Sequence, residues 1–160
     1  MDLAKWKENG KTKIAVVFNL DTHDQPGSHW TSLFIDLEEK IIFYFDSAAN
    51  PTPKEVNALV NELRKQGKPL GIRFRYMENY PYSHQNSNTE CGMYSLFFII
   101  TMLTKEIEGK HINDKTIYHL FLGKKSLDSL KGGLTNYYGK FKNRIPDKYV
   151  QDYRSKYFNV

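Results

Sequence analysis

The sequence predicts an α+β domain, on three observations. Runs rich in β-branched and aromatic residues at 13–20, 29–47 and 71–78 read as strands, and the stretch from Thr52 to Gly67 carries helical periodicity. A second apolar run of helix length begins at Cys91. At 160 residues the chain is near the size of one domain, expected to span 1–160. Hydrophobic residues at 40% and charged residues at 26% give the composition of an ordinary soluble globule with a substantial core. No apolar run approaches the roughly 18 residues of a membrane span. The opening MDLAKWKENGKTK lacks the apolar stretch of a signal peptide.

KIAVVFNL (13–20) is expected as a buried strand. DTHDQPGS (21–28) reads as a loop, with Pro26-Gly27 as its turn signal. HWTSLFIDL, then EEK, then IIFYFDS predicts a β-hairpin with a tight polar turn near Glu38–Glu39. In NPTPKEVNALVNELRKQGK, Thr52 is the expected N-cap, Pro53 the first helical position, and Glu55 follows the cap by three. Val56, Leu59, Val60 and Leu63 build one apolar face, and Gly67 closes the helix. GIRFRYME (71–78) alternates Ile72, Phe74 and Tyr76 with Arg73 and Arg75, as a half-buried strand would. NYPYSHQNSNTE (79–90) is a polar loop leading to a helix from about Cys91 to about Thr104. That helix is hydrophobic nearly all round and so is placed centrally in the core. From Glu106 onward, short helical patterns alternate with loops around Gly132-Gly133 and Pro146.

The net charge is +5 and the lysines are scattered, which reads first as a solvated surface. The sharper alternative is a patch for nucleic acid or an acidic partner in the tail carrying Lys124, Lys125, Lys131, Lys140, Lys142 and Arg144, although no nucleic-acid-binding motif is present. A lone cysteine cannot staple the fold, which fits an intracellular reducing compartment.

That cysteine, Cys91, sits at the seam between the polar HQNSNTE and the apolar run after it. At a helix N-terminus the unpaired N–H groups favour a negative charge, and a histidine partner can lower a thiol pKa from about 8.5 to roughly 3.5–7.5. Gly92 lets backbone or substrate approach closely. The bland alternative is a buried free cysteine capping a core helix. His29 opens the first strand of the hairpin and Asp46 closes the second, so antiparallel pairing sets the two close to opposite each other. A histidine oriented by an acid is the base-plus-orienter half of a nucleophilic triad. Gln85, in the loop leading to the cysteine, can aim its NH₂ at the carbonyl oxygen also met by the Cys91 N–H, forming an oxyanion hole. Singly, each residue also reads as an ordinary strand-end or loop residue.

The order His-Trp (29–30), Phe-Asp-Ser (45–47) and Gln-x₅-Cys-Gly (85–92) resembles the ubiquitin-like-protein-specific cysteine proteases, a clan that also holds adenovirus-type and large-DNA-virus polyprotein proteases. The resemblance covers roughly residues 13–104. It implies a papain-like core of the SUMO-protease/adenovirus-protease type, with a central mixed or antiparallel sheet packed on a helix that starts at the nucleophile. It assigns Cys91 as nucleophile, His29 as general base, Asp46 as its orienter and Gln85 as oxyanion donor. Trp30 would flank a cleft admitting a narrow Gly-Gly tail, with core packing as the equal alternative. The chain before His29 is short for the family, so the sequence is either a compact member or the catalytic core of a longer chain. The C-terminal third matches no motif, and its end resembles virus-encoded members.

The expected function is a cysteine endopeptidase cleaving after glycine, at Gly-Gly-X-type sites, in viral polyprotein precursors. Its expected partner is a protein with an extended Gly-rich segment, in host cytoplasm or virion if viral and otherwise in cytoplasm or nucleus. Processing of SUMO or another ubiquitin-like protein is the alternative. A non-catalytic binding module and an acyltransferase on the same fold are further ones. No cofactor, metal or membrane is expected, and a DNA or peptide activator is left open without being indicated. His23, His29, Asp21 and Asp24 fit no zinc pattern. His84 reads as a loop histidine able to contact substrate, His111 and His119 as surface residues, and the aromatics Tyr137-Tyr138 and Tyr153–Phe158 as packing.

Overall fold

In the computed structural model, which describes residues 1–20, 29–86, 90–127 and 143–158, a four-stranded sheet separates two hydrophobic layers. The strands β1 (Lys13–Leu20), β2 (His29–Asp36), β3 (Ile41–Phe45) and β4 (Arg75–Glu78) lie side by side in chain order. The first three pair antiparallel and β4 joins β3 parallel, so the sheet is mixed, as expected. The helices are α1 (Leu3–Glu8), α2 (Lys54–Gly67), α3 (Cys91–Thr104), α4 (Asp114–Phe121) and α5 (Asp147–Phe158). A short pair, β5 (Glu106–Ile107) and β6 (Lys110–His111), follows α3.

The hairpin turn is built by Asp36, whose buried Oδ1 accepts the N–H of Glu38 at 2.9 Å and of Glu39 at 3.0 Å. Lys40 completes the reversal at φ 57°. The register pairs Phe34 with Phe43 on the face toward α3, and Leu33 with Tyr44 and Ile35 with Ile42 on the face toward α2. Both faces of these central strands are covered, which is why they read as unbroken apolar runs rather than alternating ones. On the α3 side, the Phe45 and Phe98 rings stack at 4.9 Å, and Phe121 meets Phe98 edge-on at the same separation. Tyr149 and Tyr153 of α5 close over Phe97, so the described part of the C-terminal aromatic tail packs as expected apart from Phe158, which is exposed.

Several local expectations are corrected. β1 alternates between exposed and half-buried positions, because it lies at a sheet edge with one face toward solvent. Val17 is 49% exposed there. The residue capping α2 is Pro53, with no side-chain cap, because the Thr52 hydroxyl is taken by Tyr76 Oη and Glu78 Oε2. Gly67 does close α2 as its last residue, at a place where a Cβ would come within 2.7 Å of the Ile72 carbonyl oxygen. A single 3₁₀ turn, Lys68–Leu70, carries the chain on to Gly71, which takes the left-handed φ of 73°. β4 pairs only from Arg75, although Ile72 and Phe74 before it are buried as the alternation required.

The segment 79–90 is not a solvated loop throughout: Asn79, His84 and Glu90 are buried. α1 had no forecast; its Leu3 joins the α2-side layer. The loop 21–28 with Pro26-Gly27, His23, Asp21 and Asp24 lies outside the described residues. So do Gly132-Gly133, Tyr137-Tyr138, Lys131, Lys140 and Lys142. Among the described residues, no helix is long and apolar enough to cross a membrane.

Candidate active site

The first residue of β2 and the residue just past β3 meet at one end of the sheet. The ladder's last pair there is Ser32 with Phe45, so one further step sets Asp46 beside Thr31 and brings His29 to it on the diagonal. The contact is therefore not a direct cross-strand pair, yet His29 Nε2 and Asp46 Oδ1 lie 2.8 Å apart. Asp46 is 1% exposed and immobilised from several sides. Its Oδ1 also accepts the Ala48 N–H at 2.9 Å, and its N–H donates to Asn79 Oδ1 at 2.9 Å. The Asn79 NH₂ returns a bond to the Asp46 carbonyl at 2.6 Å and another to Tyr82 O at 2.9 Å.

Cys91 opens α3, and the first turn of that helix is stitched to the start of β2. The Trp30 N–H donates to Cys91 Sγ at 3.5 Å, and Ser95 Oγ donates to the Trp30 carbonyl at 3.1 Å. The thiol and the His29 imidazole are hydrogen-bonded to each other. With Nε2 committed to Asp46, the second ring nitrogen is the one available to the sulfur. The His29 pKa is pushed up to about 10, first by its bond to Asp46 and then by its bond to Cys91. The Cys91 thiol is lowered, chiefly by His29 and further by the N–H groups of Trp30 and Gly92, against the opposing effect of burial. The two shifts favour a thiolate beside an imidazolium, the reactive form of a cysteine nucleophile.

Gln85 lies in the same neighbourhood, held by Ser47. The Ser47 hydroxyl donates to Gln85 Oε1 at 2.6 Å, while the N–H groups of His84 and Gln85 both donate to the Ser47 carbonyl at 2.9 Å. A carbonyl oxygen held by Ser47 turns the NH₂ of the same amide to the opposite side. Trp30 is 38% exposed and its indole lies over Gly92, where an added Cβ would meet Trp30 Cδ1 at 3.8 Å. It therefore stands at the edge of the site rather than in the core.

His84 departs from its forecast. It is fully buried, its Nε2–H donates to the Phe121 carbonyl at 2.8 Å, and its Nδ1 accepts the Ile145 N–H at 2.9 Å. Burial pushes its pKa down to about 4, so the ring is neutral and cannot touch substrate. Sequence reasoning also passed over Ser47, Asn79 and Asp147. Ser47 was signalled only by its place in Phe-Asp-Ser; Asn79 and Asp147 had no local signal. Arg144, expected in a basic patch, points inward to Asp147, Nη2 to Oδ1 at 3.2 Å. Among the described residues no group of three His, Cys, Asp or Glu side chains is placed to hold a metal.

Comparison with known proteins follows this geometry. Residues 7–131 match the family model described as the Ulp1 protease family, C-terminal catalytic domain. Protein R355 of Acanthamoeba polyphaga mimivirus is 36% identical over 107 residues, covering 64% of this chain and 34% of its own. The cysteine protease S273R of African swine fever virus is 32% identical over 115 residues, covering 66% of this chain and 42% of its own. In another isolate that protein is named SUMO-1 cysteine protease. The crystal structure of the African swine fever virus pS273R protease superimposes with a TM-score of 0.55 at 28% identity, over 70% of this chain and 43% of that one. The chain thus spans between a third and a half of the length of these relatives.

Proposed function

The chain belongs to the Ulp1 protease family, and on that premise we propose that it is a cysteine endopeptidase cleaving after glycine, at Gly-Gly-X sites, in viral polyprotein precursors. The observation that carries the reading is the line of hydrogen bonds from Asp46 through His29 to Cys91. The Cys91 thiolate attacks the carbonyl carbon of the scissile peptide. The tetrahedral oxyanion is met by the Cys91 N–H and the Gln85 NH₂. His29 gives its proton to the leaving amine as the C–N bond breaks, leaving a thioester on Cys91. Water, deprotonated by His29, attacks the thioester, and the carboxylic acid departs as the thiolate re-forms. Asp46 holds the imidazole and stabilises its cation throughout. Trp30 narrows the approach to the sulfur, which suits residues without side chains beside the scissile bond.

The relatives of viral origin support polyprotein precursors as substrates. The name carried by the African swine fever virus protein supports a second reading, a ubiquitin-like conjugate as substrate. A panel of Gly-Gly-X peptides beside SUMO- and ubiquitin-fluorophore conjugates separates the two. Peptide cleavage by the wild type, lost to background in Cys91→Ala, is the expected result. Turnover of conjugates alone would transfer the assignment to deconjugation, and no cleavage of any substrate would refute the endopeptidase reading.

A further inference from the structure

The segment from Arg144 to Asp152 lies beyond the region matched to the family, yet it bonds to residues flanking both Gln85 and Cys91. Immediately before Gln85, the His84 ring accepts the Ile145 N–H at 2.9 Å. Immediately after it, the Asn86 N–H donates to the Asp147 carboxylate, 3.1 Å from Oδ1 and 3.3 Å from Oδ2. With its carbonyl turned toward Arg144, the Asn86 side chain also accepts from both guanidinium Nη atoms at 3.2 Å. Just before Cys91, Glu90 Oε1 accepts the Gln151 NH₂ at 3.1 Å. Tyr94, on the first turn of α3, ties these strings together. Its hydroxyl lies 2.5 Å from Ile145 O, 2.7 Å from Asp147 Oδ1 and 3.2 Å from His84 O.

We propose that this C-terminal segment, through Asp147 and the Ile145 backbone, is a positioning element that holds the Gln85 amide in register with the Cys91 N–H. The inference rests on the peptidase reading and adds to it a part of the chain outside the family match. The physical ground is that an oxyanion hole works only when its donors are set in advance at hydrogen-bond distance from where the charge will develop. The backbone around Gln85 runs outside any helix or strand and gains its position from bonds to other segments. Removing the Asp147 carboxylate releases the Asn86 N–H, breaks the ion pair with Arg144 and leaves the Tyr94 hydroxyl only the carbonyls of Ile145 and His84. The predicted consequence is a Gln85 amide that reaches its productive position only part of the time. Asp147 itself touches none of the reacting atoms.

A double-mutant cycle tests this, using Gly-Gly-X peptide turnover and the rate of iodoacetamide alkylation of Cys91. Gln85→Ala is expected to lower kcat by about 100-fold. Asp147→Ala should lower kcat by about tenfold with KM little changed, and add nothing in the Gln85→Ala background, since it acts through that residue. Alkylation, which forms no oxyanion, should proceed at the wild-type rate in both. Multiplicative losses in the double variant, or a parallel fall in alkylation, would overturn the inference and leave a merely structural role. If Asp147→Ala does not fold, Gln151→Ala, at an exposed position of α5, supplies the same comparison at Glu90: kcat should fall severalfold, and unchanged kcat would count against the proposal. A wild type that alkylates rapidly but cleaves nothing removes the peptidase reading and this one with it. A folded Asp147→Ala as active as an active wild type removes this one alone.

Discussion

Two histidines, one at each end of the candidate site, show how far surroundings outweigh residue type. His29 stands at the mouth of the sheet with its side chain 24% exposed, an aspartate on one nitrogen and a thiol at the other, and its pKa rises to about 10. His84 is sealed between Phe121 and Ile145, with a carbonyl on one nitrogen and an N–H on the other, and its pKa falls to about 4. An acceptor on each side would have favoured the cation in both places. Instead the N–H of Ile145 demands a lone pair, so His84 is locked as the neutral tautomer. The first region is built to hold a charge beside a thiol. The second is built to hold backbone.

The largest expected break in this contrast is His29→Ala, which should lower peptide turnover by about 10⁴-fold or more, as loss of a triad base does elsewhere. Its urea midpoint at neutral pH should fall as well, since the buried Asp46 carboxylate loses the cation paired with it, but activity is the larger effect. Asp46→Asn follows, with a loss of about 10⁴-fold and a fall of the His29 pKa, measurable by NMR titration of the imidazole protons. An unaltered His29 titration in that variant would mean that Asp46 is not what raises it.

His84→Ala reverses the pattern. It leaves the Ile145 N–H and the Phe121 carbonyl without their partner in a buried place, an expected cost of about 2–4 kcal/mol in urea unfolding. The pH dependence is of similar size and more specific. The pKa of His84 is lower in the folded than in the unfolded protein, so between pH 6.5 and about 4 the unfolded chain binds the extra proton. Stability should therefore be full above pH 6.5 and fall by roughly 3 kcal/mol on acidification to pH 4. His84→Gln should flatten that part of the curve, and an unchanged slope in the variant would remove His84 as its source. For His29 the sign is opposite: its favourable protonation is complete below pH 6.5 and lost as pH rises through about 10. Alkylation of Cys91 should accordingly reach its plateau at a pH below that of a free thiol.

Much of the candidate site's geometry was legible because it is carried by short-range patterns. The hairpin announces itself by two apolar runs around Asp36-Leu37-Glu38-Glu39-Lys40, and its register brings Asp46 within a diagonal step of His29. Cys91 falls at the first residue of α3 because polarity changes there within one residue. What escaped notice were partners at long sequence separation. Ser47 reaches Gln85, Asn79 reaches Asp46, and Ile145 reaches His84 across 61 positions. Thr52, a well-placed N-cap on paper, lost that role to Tyr76 and Glu78 for the same reason.

The sequence by itself determined the α+β class, the hairpin, the two long helices and the order of the candidate reactive residues. Each of these depends on periodicity, polarity and turn chemistry acting over a few neighbouring residues. Only the tertiary structure decided that His84 is a neutral strut and that Gln85 is oriented by a serine. It also decided that a C-terminal segment without a motif braces both flanks of the site. Hydrogen bonds to the backbone depend on where a group lies rather than on what residue carries it, and that location is settled only when the layers pack.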